Sequence, residues 1–496
     1  MKKVVKKLVQ INLILFYLIG KVYSFGQIPY NEPRAIIDED ISKAISCTNN
    51  SNCYINKYYD KYNEDLSFWK PNSNSVIKII KVNFIVIQKD DGTGNFSHNG
   101  VCPLETNKTD EEFLYELIDK VNNLYYNNLT NPSDTGGKSV CGTCNEIADT
   151  KIRFELQGIH YYQNSAVYGT ESNIYKYYPD SEINIYLQGL NLNYSWANLA
   201  SFYLSTNNYV FLNRLYQDYC LYGYYPALNA AAQLSHELGH NLGLCHTYYG
   251  GGCPITSGNM YNEGYYYDDL FGAYPSIFCP DRGGVWNSDP WSDPGDYITN
   301  NLMGFTVTAR YLSSKQIATM HRNLSIKSTR KYVKTNVFDN NNAIEISENE
   351  SWDFDIRCYS DIVVKSGITW VVECKILMPN DAKIIVEPGA KLILDGGYIT
   401  NCSNTFWQGI EVHGNSALSQ YPISGAYQQG IVQIINGGTI ENAVCGIKTI
   451  NSDASNPSLT TGGIIRADHA VFHNCKTTIE FLPYQNYQPA NNNMPI

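Results

Sequence analysis

The sequence predicts two folds in series: an α/β (α+β) domain over about residues 76–328, then an all-β, right-handed parallel β-helix over 340–496. Three observations carry this. Between 76 and 328, dense β-branched runs alternate with amphipathic helical stripes. After about 340 helical periodicity disappears, and short β-branched runs alternate with Gly and Asn turns. That second half also repeats loosely: Ile399-Thr400-Asn401, Ile440-Glu441-Asn442 and Phe472-His473-Asn474 share an apolar-x-Asn core, followed at once or after a short gap by Cys402, Cys445 and Cys475.

The chain opens with Lys2, Lys3, Lys6 and Lys7, then an apolar stretch from Leu8 to Gly20, with Val22 and Ser24 as a small-residue cleavage site. This reads as a secretory signal peptide over 1–24, and the apolar run is too short for a membrane span. Residues 25–75 are polar, Asn- and Tyr-rich and poor in periodic pattern, as a propeptide would be. Val76 to Gln88 is suited to a buried strand, followed by the Asp90-Asp91-Gly92-Thr93-Gly94 turn. Thr109 and Glu112 form a capping box ahead of a helix whose stripe is Phe113, Leu114, Leu117, Ile118, Val121 and Leu124. Ile152, Phe154 and Leu156 alternate as a half-buried strand, and Ile183, Ile185 and Leu187 repeat the pattern. Tyr209 to Leu212 adds a short strand. Pro226 fits the first turn of a helix, with Ala227, Leu228, Ala231, Leu234 and Leu238 at core-facing spacing.

That helix carries His236, Glu237, His240, Gly243 and His246 in an HExxHxxGxxH pattern. Residues four apart share a helix face, so His236 and His240 can present imidazole nitrogens to one zinc ion. Gly243 can take the positive φ that ends the helix and returns His246 as a third ligand. Three ligands leave the fourth position open for a water, which zinc acidifies, and Glu237 stands ready as general base. Chance would produce the pattern in about one in 10^5 chains of this length.

The pattern resembles the metzincin zinc peptidases, and within them the pappalysin-like family. The resemblance implies a catalytic domain with a mixed sheet and an active-site helix, and a methionine turn beneath the metal, for which Met303 in Asn300-Asn301-Leu302-Met303-Gly304-Phe305 stands. It also implies that a strand such as Ile183 to Leu187 lines the cleft and pairs with extended substrate. Leu312 to Arg322 reads as a closing helix with Ser313 and Gln316 as capping box. Two features depart from the family. Phe305 stands where a tyrosine is usual, removing a hydroxyl that would assist the transition state. A long Tyr-, Gly- and Asp-rich insert separates His246 from Met303, long enough to shape substrate access.

In the second half, 361–364, 383–386, 390–394, 409–412 and 431–435 read as strands. Spacings of 41 between Asn401 and Asn442 and 32 between Asn442 and Asn474 suit stacked rungs with variable loops and inward asparagine ladders. The wording from Ile384 to Gly397 resembles surface β-helix modules of exported bacterial proteins. An immunoglobulin-like sandwich is the rival fold. His413, His469 and His473 read as single surface or core histidines with no carboxylate around them. No polar capping rung precedes Ile496, so a truncated solenoid is expected.

Fourteen cysteines in an exported chain predict disulfides. Cys253 and Cys279 are placed to staple the insert. Cys141 and Cys144 lie in a loop with no further zinc ligands, and Cys245 has no role beyond packing or a disulfide. Cys47 and Cys53 read as a short disulfide loop, with a thiolate that occupies the zinc as the alternative. The net charge of −11, with no later basic cluster, argues against nucleic acid and anionic membranes as partners. The expectation is a secreted or cell-surface zinc endopeptidase acting on protein or peptide, its β-helix contacting the cell surface or glycans. Zinc is the cofactor, and the acidic loops allow calcium without specifying a site. Gly304 to Leu324 offers Arg310 and no carboxylate, which predicts a neutral or acidic primed-side preference. The alternative function is a surface-binding protein with a degenerate peptidase module.

Overall fold

The computed structural model describes residues 66–104, 108–128, 147–169, 181–189, 199–200, 208–223, 227–244, 302–303, 312, 314–403, 405–422 and 425–485, with 487–488 and 494–495. The signal peptide, most of the 25–75 segment, Cys47, Cys53, Cys141, Cys144, Cys245, His246, the insert with Cys253 and Cys279, Phe305, Arg310 and Ser313 lie outside these residues. Among the described residues no helix is long and apolar enough to cross a membrane.

The first body is a five-stranded mixed sheet with helices on one face. Its strands are β1 (Lys78–Gln88), β2 (Ile152–Gln163), β3 (Ile183–Gln188), β4 (Leu199–Ala200) and β5 (Tyr209–Asn213), in the order β2-β1-β3-β5-β4. All neighbours run parallel except β4, which pairs antiparallel with β5. Ile80, Val82, Phe84 and Val86 pack one face of β1 against two helices, α1 (Asp110–Tyr126) and α2 (Ala227–Asn241). The expected capping box starts α1: Glu112 N–H donates to Thr109 Oγ1 at 3.2 Å, and the Glu112 carboxylate accepts from Thr109 N–H at 2.7 Å. Every stripe residue of α1 is buried.

One expectation is corrected. The strand from Ile183 to Leu187 is not half-buried and lines no edge. All six residues of β3 are buried, and both neighbours are occupied, by β1 and β5. Among the described residues β4 is the edge strand on that side.

The second body has the arrangement of a parallel β-helix. The chain cycles through three sheets, and each turn adds one parallel strand to each. One sheet stacks Glu350–Trp352, Thr369–Val372, Lys391–Asp395, Ile431–Ile435 and Ile464–Ala467. A second stacks Ile356–Arg357, Lys375–Met378, Tyr398–Asn401, Thr439–Glu441 and Val471–His473. The third stacks Asp339–Ile346, Ser360–Val364, Lys383–Val386, Trp407–Val412, Ala443–Lys448 and Thr477–Glu480. Ile344, Ile362, Ile384, Ile410, Ile447 and Ile479 form an unbroken isoleucine ladder in the third sheet. Apolar residues at alternate positions thus fill the interior while their neighbours face out.

Of the three repeat asparagines only Asn401 is buried; Asn442 is half-buried and Asn474 exposed. Asn442 and Asn474 sit at a corner with φ of 55° and 48°, the left-handed region that asparagine tolerates. Asn474 Nδ2 donates to Asn442 Oδ1 at 2.6 Å, and Asn442 Nδ2 donates to Thr400 Oγ1 at 3.1 Å. Asn401 stands outside this ladder, donating instead to the Met378 carbonyl.

Among the described residues there is one disulfide, Cys102–Cys220, and five free cysteines, Cys358, Cys374, Cys402, Cys445 and Cys475, all in the β-helix. The three histidines there do have carboxylate partners: His413 meets Glu411 at 3.2 Å, His469 meets Asp468 at 2.7 Å and His473 meets Glu441 at 2.6 Å. Glu411 also meets Lys383 and Ser452 N, so this buried group is satisfied within the fold.

The two bodies share a helix, α3 (Ser314–Ile326), whose Ala318 and Ile326 join the β-helix core while Ile317, Met320 and Leu324 join the first. Leu66 and Trp69, inside the stretch expected as a propeptide, are buried in the β-helix core alongside Ala318 and Ile326. Arg357 seals the junction by donating to the carbonyls of Arg330 and Val333 at 2.8 Å each and of Lys334 at 2.6 Å.

Candidate metal centre

α2 is helical through Ala230, Ala231, Leu234 and Leu238, all buried against the sheet and α1. Two polar contacts fix its azimuth. The Tyr125 hydroxyl of α1 donates to the Ser235 carbonyl at 3.1 Å, and Asn241 Nδ2 donates to the Tyr209 carbonyl of β5 at 3.1 Å. His236 and His240 therefore emerge on one side, one helical turn apart.

Each imidazole is held by a backbone carbonyl on its inner nitrogen. His236 Nδ1 lies 2.8 Å from the Leu302 carbonyl and His240 Nδ1 lies 2.7 Å from that of Leu244. A carbonyl only accepts, so both Nδ1 atoms carry the proton and both Nε2 atoms present lone pairs. Those two Nε2 atoms converge to 3.2 Å. Facing lone pairs repel unless a cation lies between them. Two nitrogens each about 2.05 Å from one tetrahedral zinc would lie roughly 3.3 Å apart, so the donor pair fits that ion. Burial pushes His236 down to about 4, and burial together with the adjacent His236 pushes His240 down to about 3. Both rings are then neutral at physiological pH, the form that ligates metal.

Glu237 follows His236 directly and is half-buried. Loss of solvent lifts its carboxyl above the usual carboxylate range. Gly243 takes φ of 97°, where the helix ends. Met303 is fully buried beneath α2, and a Cβ at Gly239 would fall 2.6 Å from its Sδ. His246 lies outside the described residues, and among those described no group of three or more His, Cys, Asp or Glu side chains gathers to hold a metal.

Sequence reasoning missed four participants. Gly239 had a signal: a glycine inside a helix costs about 1 kcal/mol against alanine, so its presence marks a close approach. The Leu302 and Leu244 carbonyls had none, because main-chain acceptors look alike in every sequence. Asn323 also went unmarked; its Nδ2 donates to the Leu242 carbonyl at 2.8 Å.

No protein-family model and no curated protein matches this chain.

Proposed function

We propose that the protein is an exported zinc-dependent endopeptidase, similar to pappalysin-like metzincins, whose catalytic domain is fused to the β-helix. The observation that carries this reading is the convergence of two neutral, carbonyl-anchored imidazoles on one point beside Glu237. His236 and His240 would hold the ion, with His246 as third ligand from the sequence pattern. A zinc ion there supplies Lewis acidity for a peptide carbonyl and acidifies water.

The chain's own groups do the rest. The Leu302 and Leu244 carbonyls fix the tautomers, so the ligating lone pairs need no rearrangement on binding. Glu237, with its raised proton affinity, takes a proton from the attacking water at its carboxylate and returns it to the leaving amine nitrogen. Among the described residues β4 is the outer strand of the mixed sheet, where an extended substrate would pair. The lysine-led apolar N-terminus over 1–24 supports export, and the β-helix supplies a long face for protein or glycan at the cell surface.

The test compares protein lacking residues 1–24 with its Glu237→Ala variant on a denatured protein mixture, with chelator and with zinc restored. Cleavage is expected in the wild type alone, lost with chelator and recovered with zinc. Stoichiometric zinc with no cleavage would shift the function to the β-helix as a binding module.

A further inference from the structure

Asn323 is fully buried in α3 and belongs to no apolar stripe. Its Nδ2 donates to the Leu242 carbonyl, two residues after His240 and directly before Gly243 takes its left-handed turn. The last carbonyls of a helix have no intrahelical donor, so this amide completes the end of α2 at the point where the chain leaves toward His246. Asn323 is itself held from the far side. Arg322 Nε donates to its Oδ1 at 3.2 Å, and Thr329 Oγ1 donates to its carbonyl at 2.7 Å. The adjacent Leu324 carbonyl accepts the hydroxyl of Tyr359, a residue of the β-helix. Tyr359 is in turn fixed by Lys78, whose Nζ lies 4.4 Å from its ring centroid, and by Arg357 at 5.3 Å.

A continuous line of contacts thus runs from the β-helix to the end of the histidine-bearing helix: Tyr359, Leu324, Asn323, Leu242. We propose that Asn323 is a positioning residue for the metal centre, and that through it the docked β-helix sets the turn between the second and third histidines. This rests on the zinc reading above. It makes metal affinity depend on residues that touch no ligand, including one in the other body.

Chelator-competition titration measures zinc affinity for the full chain and for Asn323→Asp, which keeps the shape but turns an acceptor toward the Leu242 carbonyl. Groups that hold a metal ligand directly are worth about 10–100-fold in affinity, and Asn323 acts one step further out through Leu242, so a loss of severalfold up to about tenfold is expected. Tyr359→Phe, which removes one hydroxyl, should weaken zinc severalfold in the same direction. Because both act on one line, the double variant should lose less than the product of the two. Circular dichroism confirms that each remains folded, and Tyr359→Phe decides the matter should Asn323→Asp fail to fold. Wild-type affinity in folded Asn323→Asp or in Tyr359→Phe overturns the proposal while leaving the zinc site standing. A wild-type chain that takes up no zinc overturns both.

Discussion

Lys78 makes the stability of this fold depend on pH. It opens β1, is only 6% exposed, and faces the joint between the two bodies. Its Nζ donates to the His321 carbonyl at 3.3 Å and to Ser325 Oγ at 3.5 Å. The charged neighbours are Arg357, which opposes its charge, and Asp339, which favours it; Tyr359 and His321 complete the surround. Burial, then Arg357, lowers its pKa from 10.5 to about 7. The unfolded chain therefore keeps a proton that the folded one has lost between pH 7 and 10.5. Stability rises with pH across that window, and below pH 7 the folded state carries the full cost of a buried ammonium. A displacement of about 3.5 pH units at 1.36 kcal/mol each gives about 5 kcal/mol. Lys78→Met keeps the straight chain and removes the charge, and it also loses two hydrogen bonds of about 1 kcal/mol each. The variant should be more stable than wild type by about 3 kcal/mol at pH 6.5 and less stable by 1–2 kcal/mol near pH 10.5. Urea unfolding at pH 6.5, 8.5 and 10.5 reads this directly. Parallel pH profiles for the two proteins would refute the assignment of the proton to Lys78. So would a variant weaker at every pH.

Other perturbations have equally definite outcomes. Gly239→Ala gains about 1 kcal/mol of helix propensity yet drives a methyl into Met303 Sδ, so it should destabilise by about 1–3 kcal/mol in thermal unfolding; combined with Met303→Ala it should lose less than the sum of the two single variants, because the added methyl then enters the vacated space. Arg357→Met leaves three carbonyls at the joint without their donor and should lower stability by about 3 kcal/mol in urea, and a change below 1 kcal/mol would mean that solvent replaces the guanidinium. A chain beginning at residue 76 loses Leu66 and Trp69 from the β-helix core and should be about 3–5 kcal/mol less stable than one beginning at residue 66. Equal melting of the two would place residues 66–75 outside the folded unit.

The strands and helices that were legible are those written in local periodicity. The β-branched run before Gln88 marks β1, the stripe from Phe113 to Leu124 marks α1, and the five runs read as strands after 340 each match an observed strand to within two residues, although the other strands of the three sheets carry no such local mark. Sheet order was not legible. Alternating isoleucines at 183, 185 and 187 are compatible with an edge or a centre, and only pairing with β1 and β5 decides. The histidine partners in the β-helix escaped for a related reason. Asp468 lies next to His469 and is visible in the sequence, whereas Glu441 reaches His473 from 32 residues away, across one turn of the solenoid. At the candidate metal centre the sequence pattern singled out His236, Glu237 and His240, which are side chains in a fixed spacing. It was silent on the carbonyls of Leu302 and Leu244, which choose the tautomers.

α3 explains why the division near residue 330 in the sequence is not a division in the structure. Its thirteen residues include Ser314, Gln316, Thr319, His321, Arg322, Asn323 and Ser325, all buried. A surface helix would turn such residues to water. Here each face meets a protein body, so the polar groups need protein partners. Asn323 finds Leu242, His321 Nε2 finds the Thr150 carbonyl, and the His321 carbonyl receives Lys78. The following turn, Ser328–Tyr332, continues the seal, with the buried Tyr332 hydroxyl accepting from Asn208 N–H at 2.9 Å. Separating the bodies would expose these groups together with Ala318, Ile326, Leu66 and Trp69. A flexible tether would let the β-helix wander over many orientations, whereas this joint fixes one. A ligand held by the β-helix would then stand at a set position relative to α2, without the entropy of a loose linker.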